Sequence, residues 1–207
     1  MKISCVTVSV DYSDYLQKCL SNKQHLSEWL IVTSSTDKKT IQICKEYNLK
    51  YTTTDLMYKD NSPFAKGRCI NYGLSVLQPT DWILQLDSDI RLPDNFSEYI
   101  NTQHLQKNCI YGCGRHFNNK KRIEIDPHTN TEHRRPLIGF FQLWHSSKYD
   151  TYPTTSSNAG GDDEEHALRF NYPDEWKYID IDVEDVSGVC CENWYGRKLY
   201  KRIKCLK

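Results

Sequence analysis

The sequence predicts an α/β fold: one domain on a mostly parallel, doubly wound central sheet with helices on both faces. Segments of strand and helix period alternate through residues 1–93. The 207 residues are enough for one substantial core and few for two. The apolar run Asp81 to Leu86 stops on Asp87-Ser88-Asp89, and in an open α/β sheet ligands gather at the carboxyl ends of strands.

Taken in order, Ile3 to Val10 alternates and is rich in valine, the pattern of a strand, and Asp14 to Leu26 has helical spacing through Leu16, Leu20 and Leu26. Trp29 to Thr33 reads as a second strand, Thr40 to Tyr47 as a helix and Lys50 to Thr53 as a third strand. Pro63 and Gly67 interrupt before a helix around Cys69 to Leu77, and Asp81 to Leu86 follows as a strand. Beyond Pro93 the pattern loosens, with strands expected over Cys109 to Gly114, Leu137 to Trp144 and Lys177 to Val183. Between them lie polar loops, Asn118 to Arg135 and Ser146 to Gly161, the second long enough to read as a lid or binding segment.

Lys plus Arg and Asp plus Glu each number 27, so the chain lacks the basic excess of a dedicated nucleic-acid binder. The 14 tyrosines offer stacking surface of a kind that suits carbohydrate. Met1 runs straight into the first strand without a leader, and no stretch approaches the roughly 20 apolar residues of a membrane span, so a soluble, cytoplasmic chain is expected. Nine cysteines without a secreted or zinc-binding spacing agree with reduced, buried thiols. Arg197 to Lys207 carries six basic residues among Leu199, Ile203 and Leu206, which fits a solvated terminal helix, a membrane-surface contact or the start of further domains C-terminal to this chain.

Two carboxylates one residue apart at a strand's end can point the same way, because side chains alternate with period two. Left bare, Asp87 and Asp89 would repel, and a hard divalent cation shared with phosphate oxygens relieves them. An Asp-Ser-Asp turn that merely caps the next segment is the plainer alternative. An EF-hand fits poorly, because Leu92 stands where that loop needs glycine.

The run Asp81-Trp82-Ile83-Leu84-Gln85-Leu86-Asp87-Ser88-Asp89, preceded by Lys66-Gly67-Arg68-Cys69-Ile70-Asn71-Tyr72-Gly73, resembles the heart of the A-type (GT-A, Asp-x-Asp) nucleotide-sugar glycosyltransferases. Thr7-Val8-Ser9-Val10 and Thr33-Ser34-Ser35-Thr36-Asp37 are similar to that family's base- and ribose-binding segments. Gly160-Gly161-Asp162-Asp163-Glu164-Glu165 resembles its acidic acceptor-site motif, and Asn193-Trp194-Tyr195-Gly196-Arg197 the closing segment of some members. The resemblance implies transfer of a sugar from a nucleotide-sugar donor, UDP-linked by preference, to a hydroxyl of a glycan acceptor, with Mn2+ or Mg2+ as cofactor. Residues 1–93 would bind the nucleotide and 94–207 would build the acceptor side.

On this reading Asp89 holds the metal and Asp87 contacts ribose or metal-bound water, while Ser9 and Asp37 line the nucleoside site. Lys66 and Arg68 would add fixed positive charge near the diphosphate; each is equally at home as a surface charge on a helix. Asp37 is also a natural helix N-cap. Asp163 matches the general base of inverting members, and crowding with Asp162, Glu164 and Glu165 would raise at least one pKa. The same cluster could simply start a helix favourably. Trp144 is a candidate to stack on an acceptor sugar, or a core residue. Many relatives supply a histidine as third metal ligand shortly before the closing segment, where this chain reads Glu184-Asp185-Val186; Asp185, a water or His145 are the substitutes considered. Two rivals remain open: a sugar-phosphate nucleotidyltransferase, which needs a glycine-rich loop that Asp11-Tyr12-Ser13-Asp14 does not offer, and a catalytically silent glycan-binding or assembly module.

Overall fold

Alternating β-branched and aliphatic residues build the sheet. The computed structural model describes residues 1–79, 81–117, 120–121, 139–187 and 196–197. The strands are β1 (Ile3–Val8), β2 (Glu28–Thr33), β3 (Lys50–Thr53), β4 (Trp82–Leu86), β5 (Ile90–Arg91), β6 (Ile110–Phe117), β7 (Lys120–Lys121), β8 (Phe141–His145) and β9 (Trp176–Asp185). The helices are α1 (Ser13–Lys18), α2 (Lys38–Glu46), α3 (Lys66–Leu77), α4 (Phe96–Thr102) and α5 (Asp162–Leu168). The strands join in the order β3-β2-β1-β4-β8-β6-β9-β5, with β7 beside β6. From the pairings, β1, β2, β3, β4, β6 and β9 run one way, and β5, β7 and β8 oppose them.

Strand alternation sends consecutive residues into two separate cores. Ile3 and Cys5 of β1, with Ile31 and Leu84, pack against Leu16 of α1, Ile43 of α2 and Phe96 of α4. Val6 and Val8, with Leu30, Val32 and Ile83, pack against Ile70 and Leu74 of α3 and Ala167 of α5. Helices thus cover both faces, as the doubly wound reading expects. Gly73 lets α3 press close to the sheet: a Cβ there would lie 2.8 Å from Val32 Cγ2 and 2.9 Å from Val6 Cγ2.

Four departures have physical causes. The helix expected over Asp14 to Leu26 stops at Lys18 and tightens into a 3-10 turn over Leu20–His25. Within that turn the buried Asn22 donates to Ile90 O (2.8 Å) and accepts from Leu92 N (2.8 Å), so its side chain is spent holding β5. β5 and β7, at two residues each, are too short to show a period in sequence. α4 buries Phe96 and Ile100 on one face and has no side-chain cap to announce it. The loop from Ser146 to Gly161 is fastened inward rather than free, because Tyr152 is buried and Tyr149 donates to Arg169 O (2.6 Å).

Among the described residues Cys5, Cys19, Cys44, Cys69, Cys109 and Cys113 are buried free thiols. No helix of the described residues is long and apolar enough to cross a membrane. The segment Asn193 to Tyr195 and the basic residues beyond Arg197 lie outside the described residues.

Candidate active site

The winding of the sheet locates the site. From β1 the chain steps outward through β2 to β3, then α3 carries it back to the other side of β1 as β4. Crossovers therefore diverge between the carboxyl ends of β1 and β4, and a crevice opens where they part. Ser9 to Asp11 follow β1 at that crevice, and Asp87 to Asp89 follow β4.

Asp87 is fixed on three sides. Its N–H donates to Phe140 O (3.0 Å), and its Oδ1 accepts from Gln85 Nε2 (3.0 Å) and from the Lys66 ammonium. Asp87 O closes a tight turn by accepting from Ile90 N (3.2 Å), and Asp89 O accepts from Val186 N (2.8 Å). The Asp89 carboxylate has no side-chain donor among the described residues. Burial, then the neighbouring Asp87 and Asp185 charges, push it up to about 7. A carboxylate desolvated near two others is under-compensated, and a divalent cation could supply the missing charge. Asp185 stands opposite Ile90 in the β5–β9 pairing, but its carboxylate accepts from Ser187 N (3.0 Å) and faces the buried Arg115 guanidinium at 3.6 Å. Among the described residues no three His, Cys, Asp or Glu side chains converge on one point. The side chains here that could hold a metal are thus the two carboxylates of Asp87 and Asp89.

Lys66 connects this centre to the acidic motif. Its ammonium also donates to Gly139 O (3.0 Å), and Gly139 N donates to Asp163 Oδ2 (2.7 Å). Asp163 Oδ1 accepts from Gly161 N (3.1 Å), and its main-chain carbonyl accepts from Gln142 Nε2 (2.9 Å). Asp87, Lys66 and Asp163, far apart in sequence, therefore meet around one glycine. A Cβ at Gly139 would lie 2.3 Å from Asp163 Oδ2 and 2.7 Å from Asp163 Cβ, so a larger residue would displace Asp163. The sequence reading overlooked Gly139, although a lone glycine inside a strand-like run is the mark of a close approach.

The other expected residues divide. Asp162 is 2% exposed and turned into the protein: Oδ1 accepts from Ser156 N (2.8 Å) and Thr155 Oγ1 (3.4 Å), while Oδ2 packs on Gly67 at the start of α3 without a well-formed hydrogen bond. Burial first, and Glu165 to a lesser degree, raises its pKa, so crowding is the smaller cause. Its place in the molecule is a joint rather than a reacting group. Asp37 accepts from Thr40 N (3.2 Å), Thr40 Oγ1 (2.7 Å), Thr33 Oγ1 (3.4 Å) and Asp11 N (2.6 Å), so the cap reading prevails and no side is left for a ribose. Arg68 donates to Lys59 O (2.8 Å) and pairs with Asp60 (3.2 Å), so these partners lie in the turn before α3 and not at Asp87. Ser9 is fully buried at the crevice with its hydroxyl unpaired.

Trp144 and His145 require correction as acceptor contact and metal ligand. Trp144 is 0% exposed, donates to Tyr149 O (2.9 Å) and packs on His166 at a centroid distance of 4.4 Å, leaving no face for a sugar. His145 pairs with Trp82 at the opposite end of β4 from Asp87 and binds Asp81 Oδ1 at 3.2 Å. On the buried face of α5, His166 is packed among Trp144, Tyr152, Tyr149 and Phe170, both ring nitrogens without a partner among the described residues, and burial pushes its pKa down to about 3.

In sequence the chain matches no family model and no curated protein. In structure it is similar to the glucosyl-3-phosphoglycerate synthase of Mycobacterium tuberculosis in complex with Mn2+, UDP-glucose and phosphoglyceric acid. The TM-score is 0.59 at 11% identity, over 87% of this chain and 70% of that one. The mannosyl-3-phosphoglycerate synthase of Rubrobacter xylanophilus gives 0.55 at 13% identity, over 89% and 67%. The inositol-1-phosphate CTP transferase of T. maritima gives 0.58 at 9% identity, over 99% and 95%. The chain has the α/β fold that these glycosyltransferases and nucleotidyltransferases share.

Proposed function

We propose that this chain is a metal-dependent glycosyltransferase that moves a sugar from a nucleotide-sugar donor, UDP-linked by preference, to a hydroxyl of a glycan acceptor. The observation that carries the reading is the meeting of Asp87, Lys66 and Asp163 around Gly139 at the carboxyl end of β4, with the desolvated Asp89 two residues after Asp87. Asp89 and Asp87 would hold Mn2+ or Mg2+, and the ion, when bound, offsets the charge of the departing diphosphate. Lys66 adds a fixed ammonium beside the same phosphates. Asp163 is aimed by the two amides it accepts and keeps lone pairs for an acceptor hydroxyl, whose proton it takes during attack on the anomeric carbon. The neighbouring structures bound to Mn2+ and UDP-glucose support the donor class.

A nucleotidyltransferase is the second reading, favoured by the near-complete overlap with the CTP transferase. Against it, Val8-Ser9-Val10-Asp11-Tyr12 leads from β1 into α1 with no glycine to cradle a triphosphate.

Thermal shift with UDP-, GDP- and CDP-sugars and with CTP, each with and without Mn2+, tests both readings. A ligand bound only by the native state at about 100 times its Kd adds about 2.7 kcal/mol. Expected is an Mn2+-dependent shift with one nucleotide sugar that Asp89→Asn abolishes, together with nucleoside diphosphate release on adding acceptor. Pyrophosphate release from CTP and a sugar phosphate would favour the second reading, and no shift with any ligand the silent module.

A further inference from the structure

One charged contact joins the far end of the chain to the loop behind the donor crevice. The Arg197 guanidinium grips the Asp14 carboxylate with both terminal nitrogens, Nη2 to Oδ2 at 2.9 Å, and donates through Nη1 to Asp11 O (2.9 Å). It also lies over the rings of Tyr12 (5.2 Å) and Tyr15 (4.8 Å). Its neighbour Gly196 takes a φ of +80°, and a Cβ there would lie 3.3 Å from Phe64 Cδ2. Phe64 stands two residues before Lys66. Residues 196–197 therefore reach from the start of α3 to the loop after β1, across the end of the sheet where the proposed donor lies.

The loop they brace makes a tight turn. Asp11 has a φ of +60°, in the left-handed region that Asp and Asn tolerate better than other residues with a Cβ. Its N–H is captured by Asp37 Oδ2 (2.6 Å) and its carbonyl by Arg197. One turn is thus clamped by a cation and an anion from different parts of the chain. Arg suits this place better than Lys, because its planar fork matches the two oxygens of Asp14 while Nη1 also reaches a carbonyl.

We propose that Arg197 is a positioning residue for the nucleotide donor: by locking Asp11 and Asp14 it sets the wall of the crevice beside Ser9, and so governs donor affinity rather than bond breaking. The inference rests on the glycosyltransferase reading. Once the wall is locked, little ordering is left for the nucleotide to impose, and losing the lock weakens binding without altering the reacting groups.

The test is calorimetric titration of the full chain with UDP in the presence of Mn2+, alongside donor KM and kcat and hydrogen exchange of the amides of residues 9–16. Expected for Arg197→Ala is about a ten-fold rise in Kd and KM, the effect of about 1.4 kcal/mol, with kcat changed less than two-fold and faster exchange in 9–16. Asp14→Asn, which attacks the clamp from the other side, should give a smaller rise of the same kind, and Arg197→Lys should recover only part of the loss. Equal UDP affinity in wild type and Arg197→Ala, or a fall in kcat at constant KM, overturns the inference and leaves the glycosyltransferase reading standing. A wild-type protein that binds none of UDP, GDP or CTP sinks that reading, and the donor role given to Arg197 with it.

Discussion

Replacing Gly67 by alanine tests the joint between α3 and α5. In a helix interior this change is favourable by about 1 kcal/mol, because glycine is the poorer helix former, and at Gly67, the second residue of α3, the gain is at most that. Here the added methyl carbon would lie 2.2 Å from Asp162 Oδ2, 2.7 Å from Asp162 Cγ and 2.3 Å from Pro153 O. The carboxylate is held by Ser156 N and Thr155, and the other obstacle is main chain, so neither yields by a simple rotation. Overpacking of this kind costs about 1–3 kcal/mol, and a rigid obstacle places it near the top of that range. The net loss is about 2 kcal/mol after the helix gain, which for a chain of this size lowers Tm by about 4–8 °C. Urea and thermal unfolding of wild type, Gly67→Ala and Gly67→Ala/Asp162→Ala read it directly. The double variant should recover only part of the loss, since the carbonyl of Pro153 stays in place. A Gly67→Ala protein more stable than wild type by about 1 kcal/mol, as for a solvent-facing helix position, would refute the packing argument.

Asp163→Asn should lower kcat by about a hundred-fold or more while leaving Mn2+-dependent UDP affinity within about two-fold, measured by steady-state kinetics and calorimetry. Asp89 has a native pKa of about 7 against 3.8 unfolded, so between these values the native state keeps a proton the unfolded chain has released. Its contribution to stability is therefore fully present below about pH 3.8 and lost as pH rises toward about 7; in metal-free protein Asp89→Asn should flatten that decline in urea titrations, and added Mn2+ should raise wild type but not the variant. His166 shifts the other way, from 6.5 to about 3, so the unfolded state binds the extra proton and stability is lost as pH falls through that window. His166→Phe should remove this part of the acid slope and, with two unpaired buried nitrogens gone, raise stability near neutral pH by about 1 kcal/mol, read by the same titrations.

The parts of the fold legible in sequence were those governed by local periodicity. β1 to β4 and α2 and α3 each announce themselves by an apolar alternation or stripe, and their order fixes the switch point and thus the place of Asp87 and Asp89. Side-chain direction was less legible, because it depends on partners remote in the chain. Asp162 and Asp163 are adjacent and chemically identical, yet one packs on Gly67 and the other faces Gly139. Nothing in the tetrad Asp162 to Glu165 distinguishes them. Trp144 ends the expected apolar strand and His145 follows it, so both looked available for binding, but β8 lies between β4 and β6, where both are covered. Asp37 carried two readings in sequence, and four protein donors decide between them. Gly139 acts through its main chain, which a search for reactive side chains passes over.

The α3–α5 joint also bears on engineering this chain. Lys66 and Gly67 come from the stretch that would handle the nucleotide, and Asp163 and Asp162 from the stretch that would handle the acceptor, yet Gly67 packs directly on Asp162 and Lys66 is tied to Asp163 through Gly139. A chimera spliced at Pro93, the natural seam on paper, would separate a tongue from its groove. Exchanging acceptor preference with a relative would call for residues 64–67 and 153–163 to be transplanted together as one cassette.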